Sequence, residues 1–323
     1  MSTIVLLRMV RCVSFLALFP VGDWLSAQAT EFHKIFPVTL AEPVKLTVEL
    51  ACGELEIAYS RDGQVAISAA VQTGDLELDE SYFSRSLSVE QSGNKILIRQ
   101  AEVTGIPAAK IRSRYRIDVP YRTEIKAVDN RGSQTIRGVL GPVEMNGGQG
   151  NISVSFVSRT VTVQVEKGDI DLQMIGERVF ARSGNGDITA ERLAKGIIAG
   201  TGEGDITLRV IGASEATVKH GTGRIDIGGA RESVVSSTDG GDLHVKAVPR
   251  SDWKLSSRSG TIRLEVPPRA GFVLDAATET GRLQLDRDDL PALALDARQM
   301  QHKINGGGTK IEARTKSGAI LIR

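Results

Sequence analysis

Two neighbouring segments, Gly186-Asp187-Ile188-Thr189-Ala190 and Gly204-Asp205-Ile206-Thr207-Leu208, contain the repeat motif that decides the fold. The motif consists of a glycine, an aspartate or a substitute, an aliphatic residue, any residue and a second aliphatic residue. Its successive glycines are separated by 18, 18, 18, 19, 18, 19, 21 and 37 residues, and the last interval is close to two periods. The glycines are Gly150, Gly168, Gly186, Gly204, Gly223, Gly241, Gly260, Gly281 and Gly318. A fixed short period of this kind predicts a stacked repeat fold.

Each repeat contains two short alternating segments. Ile206 and Leu208 point to one side of a strand while Asp205 and Thr207 point to the other, and a second strand lies midway through the repeat, as at 161–165. This pattern predicts an all-β, single-chain β-solenoid with about 18 residues per coil over residues 123–323. Residues one period apart, such as Ile188 and Ile206, should then be neighbours on adjacent coils. Roughly ten coils at about 4.8 Å each would give a rod on the order of 45–50 Å long.

The residues before and within the repeat need separate treatment. Residues 30–122 alternate like strands without the strict period, and predict a smaller β-rich N-terminal region. Within the double interval, residues 288–301 are compatible with a helical or loop insertion.

The first 29 residues have the pattern of a secretory signal peptide. Arg8 and Arg11 precede an apolar run from Cys12 to Val21, and Ala27-Gln28-Ala29 is a small-x-small cleavage signal. The apolar run is too short to span a bilayer as a helix. The sequence therefore predicts an exported protein, either periplasmic or extracellular, with no membrane span after the signal is removed.

Charge and cysteine content exclude several classes of function. Removal of Arg8, Arg11 and Asp23 with the signal peptide leaves 38 basic and 38 acidic residues. Net charge near zero gives no electrostatic basis for a nucleic-acid partner or for an anionic membrane. Cys52 is then the single remaining cysteine, and its apolar setting predicts a buried, inert thiol. No motif for a cofactor or for a metal site is present, so none is predicted.

The repeat resembles that of a known group of proteins. The segments that carry the resemblance are Gly53-Glu54-Leu55-Glu56-Ile57, Ile117-Asp118-Val119-Pro120, the Gly-Asp-Ile copies and the closing Ser317-Gly318-Ala319-Ile320. They are similar to the bacterial exported "putative adhesin" family of β-strand-repeat proteins, a domain of unknown function. The resemblance implies a solenoid in the cell envelope or outside the cell. It implies no catalytic residues.

The aspartates that follow the repeat glycines admit two interpretations. In register, Asp187 and Asp205 with Arg224 could form the acid/base column of a β-helix polysaccharide lyase or hydrolase. Alternatively, each aspartate caps the turn after its glycine through a side-chain hydrogen bond. Arg224 favours the structural interpretation, because it lies between Asp205 and Asp242 in the column and relieves the repulsion between their charges.

We therefore predict a non-enzymatic, adhesin-like scaffold or binding surface in the bacterial cell envelope. The candidate binding face is a column of outward side chains: Asp171, Thr189, Thr207, Asp226, His244 and Arg263. Extended partners, such as a surface polymer or another envelope protein, suit a repeated polar face. Self-association is a further possibility, since a strand that runs to the last residues would leave an unpaired edge.

Overall fold

The structure is a computed structural model that describes residues 30–73, 82–101, 111–218, 223–286 and 297–323. The chain winds as a flattened β-solenoid in which each coil contributes one strand to a front face and one to a back face. Almost all neighbouring coils pair in parallel and in register. The signal-peptide prediction for residues 1–29 lies outside the described residues.

The first part of the chain supplies seven strands and one short helix. They are β1 Thr30–Pro37, β2 Val44–Leu50, β3 Glu54–Tyr59, β4 Gln64–Thr73, α1 Tyr82–Ser86, β5 Leu87–Ser92, β6 Lys95–Gln100 and β7 Ile111–Val119. No helix in the described ranges is long and apolar enough to cross a membrane.

The repeat supplies the remaining strands. They are β8 Thr123–Arg131, β9 Gln134–Arg137, β10 Val143–Gln149, β11 Ile152–Val157, β12 Val161–Lys167, β13 Ile170–Ile175, β14 Val179–Asn185, β15 Ile188–Glu203, β16 Ile206–Val218, β17 Ile225–Gly228, β18 Val234–Thr238, β19 Leu243–Lys246, β20 Trp253–Ser257, β21 Ile262–Glu265, β22 Phe272–Thr278, β23 Leu283–Leu285, β24 Gln299–Ile304, β25 Thr309–Thr315 and β26 Ile320–Ile322. β15 and β16 each turn from the front face to the back face within one continuous strand.

The predicted stacking of equivalent residues is confirmed. Ile188 pairs with Ile206, and Ile206 pairs with Ile225, so one period advances the chain by one coil. The aliphatic residues of both faces point inwards and are almost completely buried, as at Ile206 and Leu208 with 0% exposure. This continuous apolar interior is what stabilises a chain without disulfides, and Cys52 is buried within it as a free thiol.

The N-terminal region continues the same sheet. The predicted boundary after residue 122 falls in the turn before β8, but β2 pairs with β8 and β3 pairs with β9 across it. The coil of β2 and β3 is inserted between the β6/β7 coil and the β8/β9 coil. Antiparallel strands cover this end, with β1 on β4, β4 on β7 and β5 on β6. Each face is thus 14 strands deep, and the rod is roughly 60 Å long.

The C-terminal end also contains an inserted coil. β25 lies between β20 and β22, and β26 lies between β21 and β23. The last strand is therefore not an unpaired edge, and the structure removes the premise on which self-association through it was predicted. The outermost strands here are β23 and β24, and β24 pairs antiparallel with β22. Gln299–Gln301, the last three residues of the possible 288–301 insertion, begin β24, whereas residues 287–296 lie outside the described residues.

The repeat glycines stack closely at one long edge, which we call the glycine edge. Gly186 and Gly204 have φ angles of 151° and 130°, a region that disfavours residues with a Cβ. A Cβ on either residue would also overlap the carbonyl oxygen of the corner glycine one coil earlier. From Gly260 onwards positive φ is absent at these corners, but the same overlap with the neighbouring carbonyl remains. Close backbone approach is thus the shared reason for glycine at this corner.

A buried hydroxyl group precedes most of these corners by three residues. The Thr201 hydroxyl donates to the carbonyl of Gly186 at 2.9 Å, and that of Ser183 donates to Gly168 at 2.9 Å. The same bond to a neighbouring corner recurs later, at Thr238, Ser257, Thr278 and Thr315. These hydroxyls satisfy corner carbonyls that turn inwards, away from the sheet hydrogen bonds.

Candidate binding face

The structure brings all six predicted face residues into one column on the front face. Asp171 pairs with Thr189, Thr189 with Thr207, and Thr207 with Asp226. Asp226 pairs in turn with His244, and His244 with Arg263. The column continues in the earlier coils through Ser153, Thr135 and Glu56. It therefore forms a polar strip along most of the rod, with side chains one strand spacing apart.

A network of charged side chains crosses this strip at Asp226 and His244. Arg209 binds Asp226 in a bidentate manner, with 2.7 Å from Nη2 to Oδ2 and 3.1 Å from Nη1 to Oδ1. His244 lies between two carboxylates, with its Nδ1 3.4 Å from Asp226 Oδ1 and its Nε2 3.1 Å from Glu265 Oε1. Lys246 completes the network, 3.0 Å from Glu265 Oε2. The Lys246 hydrogen bond, followed by the nearby His244, lowers the pKa of Glu265.

Gly228 makes room for the Arg209 side chain. A Cβ at position 228 would meet the Arg209 side chain at 3.1 Å from Cδ. The arginine therefore lies flat across the next coil and reaches both the carboxylate and the backbone carbonyl of Asp226. Sequence reasoning did not single out Arg209, although its place two residues beyond Thr207 puts it on the same outward side.

The aspartates of the alternative prediction form a ladder of hydrogen bonds along the glycine edge. The backbone N–H of Asp205 donates to Oδ1 of Asp187 at 2.8 Å, and that of Arg224 donates to Oδ1 of Asp205 at 2.6 Å. The same bond recurs from Asp187 to Asp169 and from Thr261 to Asp242. Each carboxylate therefore caps the equivalent residue of the next coil, and not its own turn as the structural interpretation expected. Arg224 fits in the ladder because only its backbone takes part.

The same residues border a polar surface depression lined by Asp205, Arg224, Gly240, Gly241 and Asp242. One oxygen of Asp205 and one of Asp242 are held there by backbone groups. In the described ranges, no group of three or more His, Cys, Asp or Glu side chains is arranged to hold a metal ion. The ladder explains these carboxylates through coil-to-coil stabilisation.

A buried carboxyl group lies in the interior at an earlier corner. Asp129 is completely buried, and burial raises its pKa from 3.8 to about 7. Its Oδ1 accepts the backbone N–H of Arg131 at 3.0 Å, whereas its Oδ2 has no partner. The alternation Ile125, Ala127, Asp129 places this residue on the inward side, and this is the sequence signal that could have found it.

The chain is similar to proteins of known structure and to one protein family. A "putative adhesin" from Parabacteroides distasonis ATCC 8503 is 12% identical, with 92% of this chain and 98% of that chain covered at a TM-score of 0.41. A "putative adhesin" from Bacteroides fragilis NCTC 9343 is 11% identical, with 91% and 97% covered at a TM-score of 0.38. No curated protein matches the chain. The Toastrack DUF4097 family model matches residues 84–323, and the chain therefore belongs to the Toastrack DUF4097 family.

Proposed function

We propose that this protein is a non-enzymatic, exported scaffold of the cell envelope whose front face binds an extended partner, in the manner of an adhesin. The observation that carries the proposal is the polar column from Glu56 to Arg263, which keeps one register over successive coils. Side chains repeated at one strand spacing present the same groups many times along a line. An extended polymer of the cell surface, or another envelope protein, can engage such a line through many weak contacts.

The centre of the column supports this choice of surface. Thr189 and Thr207 are small hydroxyl side chains in register, and they leave a flat strip between Asp171 and the Arg209–Asp226 pair. Hydroxyl, carboxylate and guanidinium groups together offer both donors and acceptors to a polar chain. The paired charges orient each other, so the strip is preorganised without a cofactor.

The experiment blocks the strip at its centre. The full chain and a Thr189→Arg, Thr207→Arg variant are tested for retention on immobilised cell-surface polysaccharides and on separated envelope proteins. Thr162→Arg with Gln164→Arg, two exposed positions on the back face, is the matched control for added positive charge and bulk. We expect retention by the native chain and by the control, with at least about tenfold weaker binding by the front-face variant. Equal retention of all three proteins, or none by the native chain, would contradict the proposal.

A further inference from the structure

The side of the rod opposite the glycine edge has a different composition. The turns that follow the front strands, almost all of which lead to a back strand, form what we call the apolar edge. It comprises residues 38–43, 59–63, 120–122, 138–142, 156–160, 174–178, 192–196, 210–213, 229–233, 247–252 and 266–271. Because the coils are in register, these turns lie in a nearly straight line along the rod.

Exposed large apolar side chains gather on this edge. Six of the ten in the described ranges lie within it: Leu40, Tyr59, Tyr121, Phe156, Val210 and Val248. Phe180, Ile198 and Val235 flank it, each in the first outward row of the back face. Phe156 is 51% exposed and Tyr121 is 48% exposed. None of the ten lies at the glycine edge, so the apolar surface is confined to one side of the molecule and marks an interaction site.

Backbone strain on the same edge supports this interpretation. Phe156, Met174, Arg192 and Val210 occupy equivalent positions in successive coils, with φ between 51° and 57°. Glycine holds the same position in the coils before and after, at Gly138 and Gly229. Bulky residues in this conformation are strained, and such strain is typical of functional surfaces. The chain thus keeps large side chains, of which Phe156, Arg192 and Val210 are exposed, where glycine would be the unstrained residue.

The charge of the edge indicates the chemistry of the partner. It carries nine basic residues, Arg61, Arg122, Arg159, Arg178, Arg192, Lys195, Arg231, Arg250 and Arg269. Five acidic residues, Glu42, Asp62, Glu177, Glu232 and Asp252, leave a net charge of +4 on this edge although the chain as a whole carries +1. Glu177 is paired with Arg159 at 3.0 Å, and this pairing lowers the pKa of Glu177. A second copy of the same edge would be repelled, whereas an anionic surface would be attracted.

We propose that the apolar edge docks on an anionic lipid surface. Tyrosine rings and aliphatic side chains enter the headgroup region of a bilayer, and arginines beside them pair with lipid phosphates. Tyr59 and Tyr121 stack edge to face, with ring centroids 5.1 Å apart, at one end of the line. A straight edge suits a planar surface because many coils can touch it at once. Docking in this orientation leaves the front face, a separate surface, open to its own partner.

Vesicle flotation tests this inference with the full chain. Vesicles of phosphatidylcholine alone are compared with vesicles that also contain phosphatidylglycerol. One variant, Arg178→Glu with Arg192→Glu, reverses charge, and another, Phe156→Asn with Val210→Asn, removes apolar side chains with a residue that tolerates positive φ. Lys167→Glu with Lys316→Glu makes the same charge change at the glycine edge. All four proteins keep residues 1–29, so any contribution of that segment is common to them.

We expect the native chain and the glycine-edge control to float with the anionic vesicles and not with the neutral ones. Both apolar-edge variants should bind at least about tenfold more weakly, with circular dichroism spectra unchanged. Three outcomes would overturn the inference: no flotation of the native chain, apolar-edge variants that bind as the native chain does, or a control that loses as much binding. If the native chain instead forms a dimer that dissociates in the apolar-edge variants, and does not bind vesicles, the edge contacts a second copy of the chain.

Discussion

Asp129 holds, three residues before Gly132, the position that a serine or threonine hydroxyl takes before later corners. A hydroxyl group is uncharged whether it is buried or exposed, whereas a carboxyl group must bind a proton to be buried without a charge. Burial raises the pKa of Asp129 to about 7, whereas the unfolded chain releases the same proton near pH 4. The neutral acid is therefore the form that the folded interior accommodates, and folding becomes linked to pH at this residue.

We expect Asp129→Asn to stabilise the protein in a pH-dependent manner. Below about pH 3 the carboxyl is protonated in both states, so the native chain and the variant should be equally stable. Between pH 4 and 7 the unfolded chain loses the proton while the folded chain retains it, so the free energy of unfolding of the native chain falls as pH rises. The difference should reach up to about 4 kcal/mol at pH 8.

Urea unfolding of both proteins at a series of pH values measures this difference. The amide oxygen that Asp129→Asn introduces can still accept the backbone N–H of Arg131, so the local hydrogen bond is kept. Asp205→Asn is the matched control, because Asp205 is an exposed member of the hydrogen-bonded ladder on the glycine edge. A constant difference between Asp129→Asn and the native chain from pH 4 to pH 8 would show that Asp129 is ionised in the folded protein throughout.

The strands show where sequence reasoning succeeds and where it stops. The alternation and the 18-residue period fix which side chains face outwards, so the column from Asp171 to Arg263 could be predicted residue by residue. The aspartate ladder could be predicted only in part, because a hydrogen bond to the next coil depends on stacking distance and not on local turn chemistry. The column of positive-φ residues on the apolar edge had no sequence marker, since Phe156, Met174, Arg192 and Val210 share no preference for positive φ.

The strained backbone at these positions, where the front strands end, predicts how substitutions there change stability. Val210 is β-branched at a φ of 51°, where glycine has no steric penalty. We expect Val210→Gly to raise the free energy of unfolding by about 1 kcal/mol, because relief of strain exceeds the backbone entropy that glycine adds. The reverse change, Gly229→Val, should lower stability by about 1–3 kcal/mol.

Chemical denaturation of the two variants checks the pair. A Cβ at position 229 would meet its neighbours only at 3.6 Å or more, so the expected loss comes from the backbone and not from overlap. Gly93→Ala is a suitable control, since it also has a positive φ of 59° and nothing within 4 Å of an added Cβ. A stabilising Gly229→Val or a destabilising Val210→Gly would show that this corner is not strained.

At the scale of the whole molecule, the two ends of the rod share one topology. The first coil, β2 and β3, and the last coil, β25 and β26, are each inserted one place inwards, and antiparallel strands lie outside them. Stacking in sequence order was the natural expectation from the period, and it placed Gly318 to Arg323 at an open end. Local patterns do not encode the order of coils, because every coil offers the same inward residues to its neighbours. Insertion ties the last segment of the chain into the sheet on both sides.

Removal of residues 318–323 should therefore damage more than the last strand. Ile320 and Ile322 are 0% and 1% exposed, and β26 joins β21 to β23. We expect loss of at least about 4 kcal/mol in the stability of the C-terminal coils, with amide protection lost on both β21 and β23. Coils before β16 should keep their protection, because solenoid repeats contact only their neighbours.

Hydrogen exchange followed by mass spectrometry measures the amide protection of each strand. Deletion of Thr30–Pro37 is the control, since β1 pairs with β4 alone. Protection that remains on β21 and disappears only at the truncated terminus would contradict the inserted order and restore stacking in sequence.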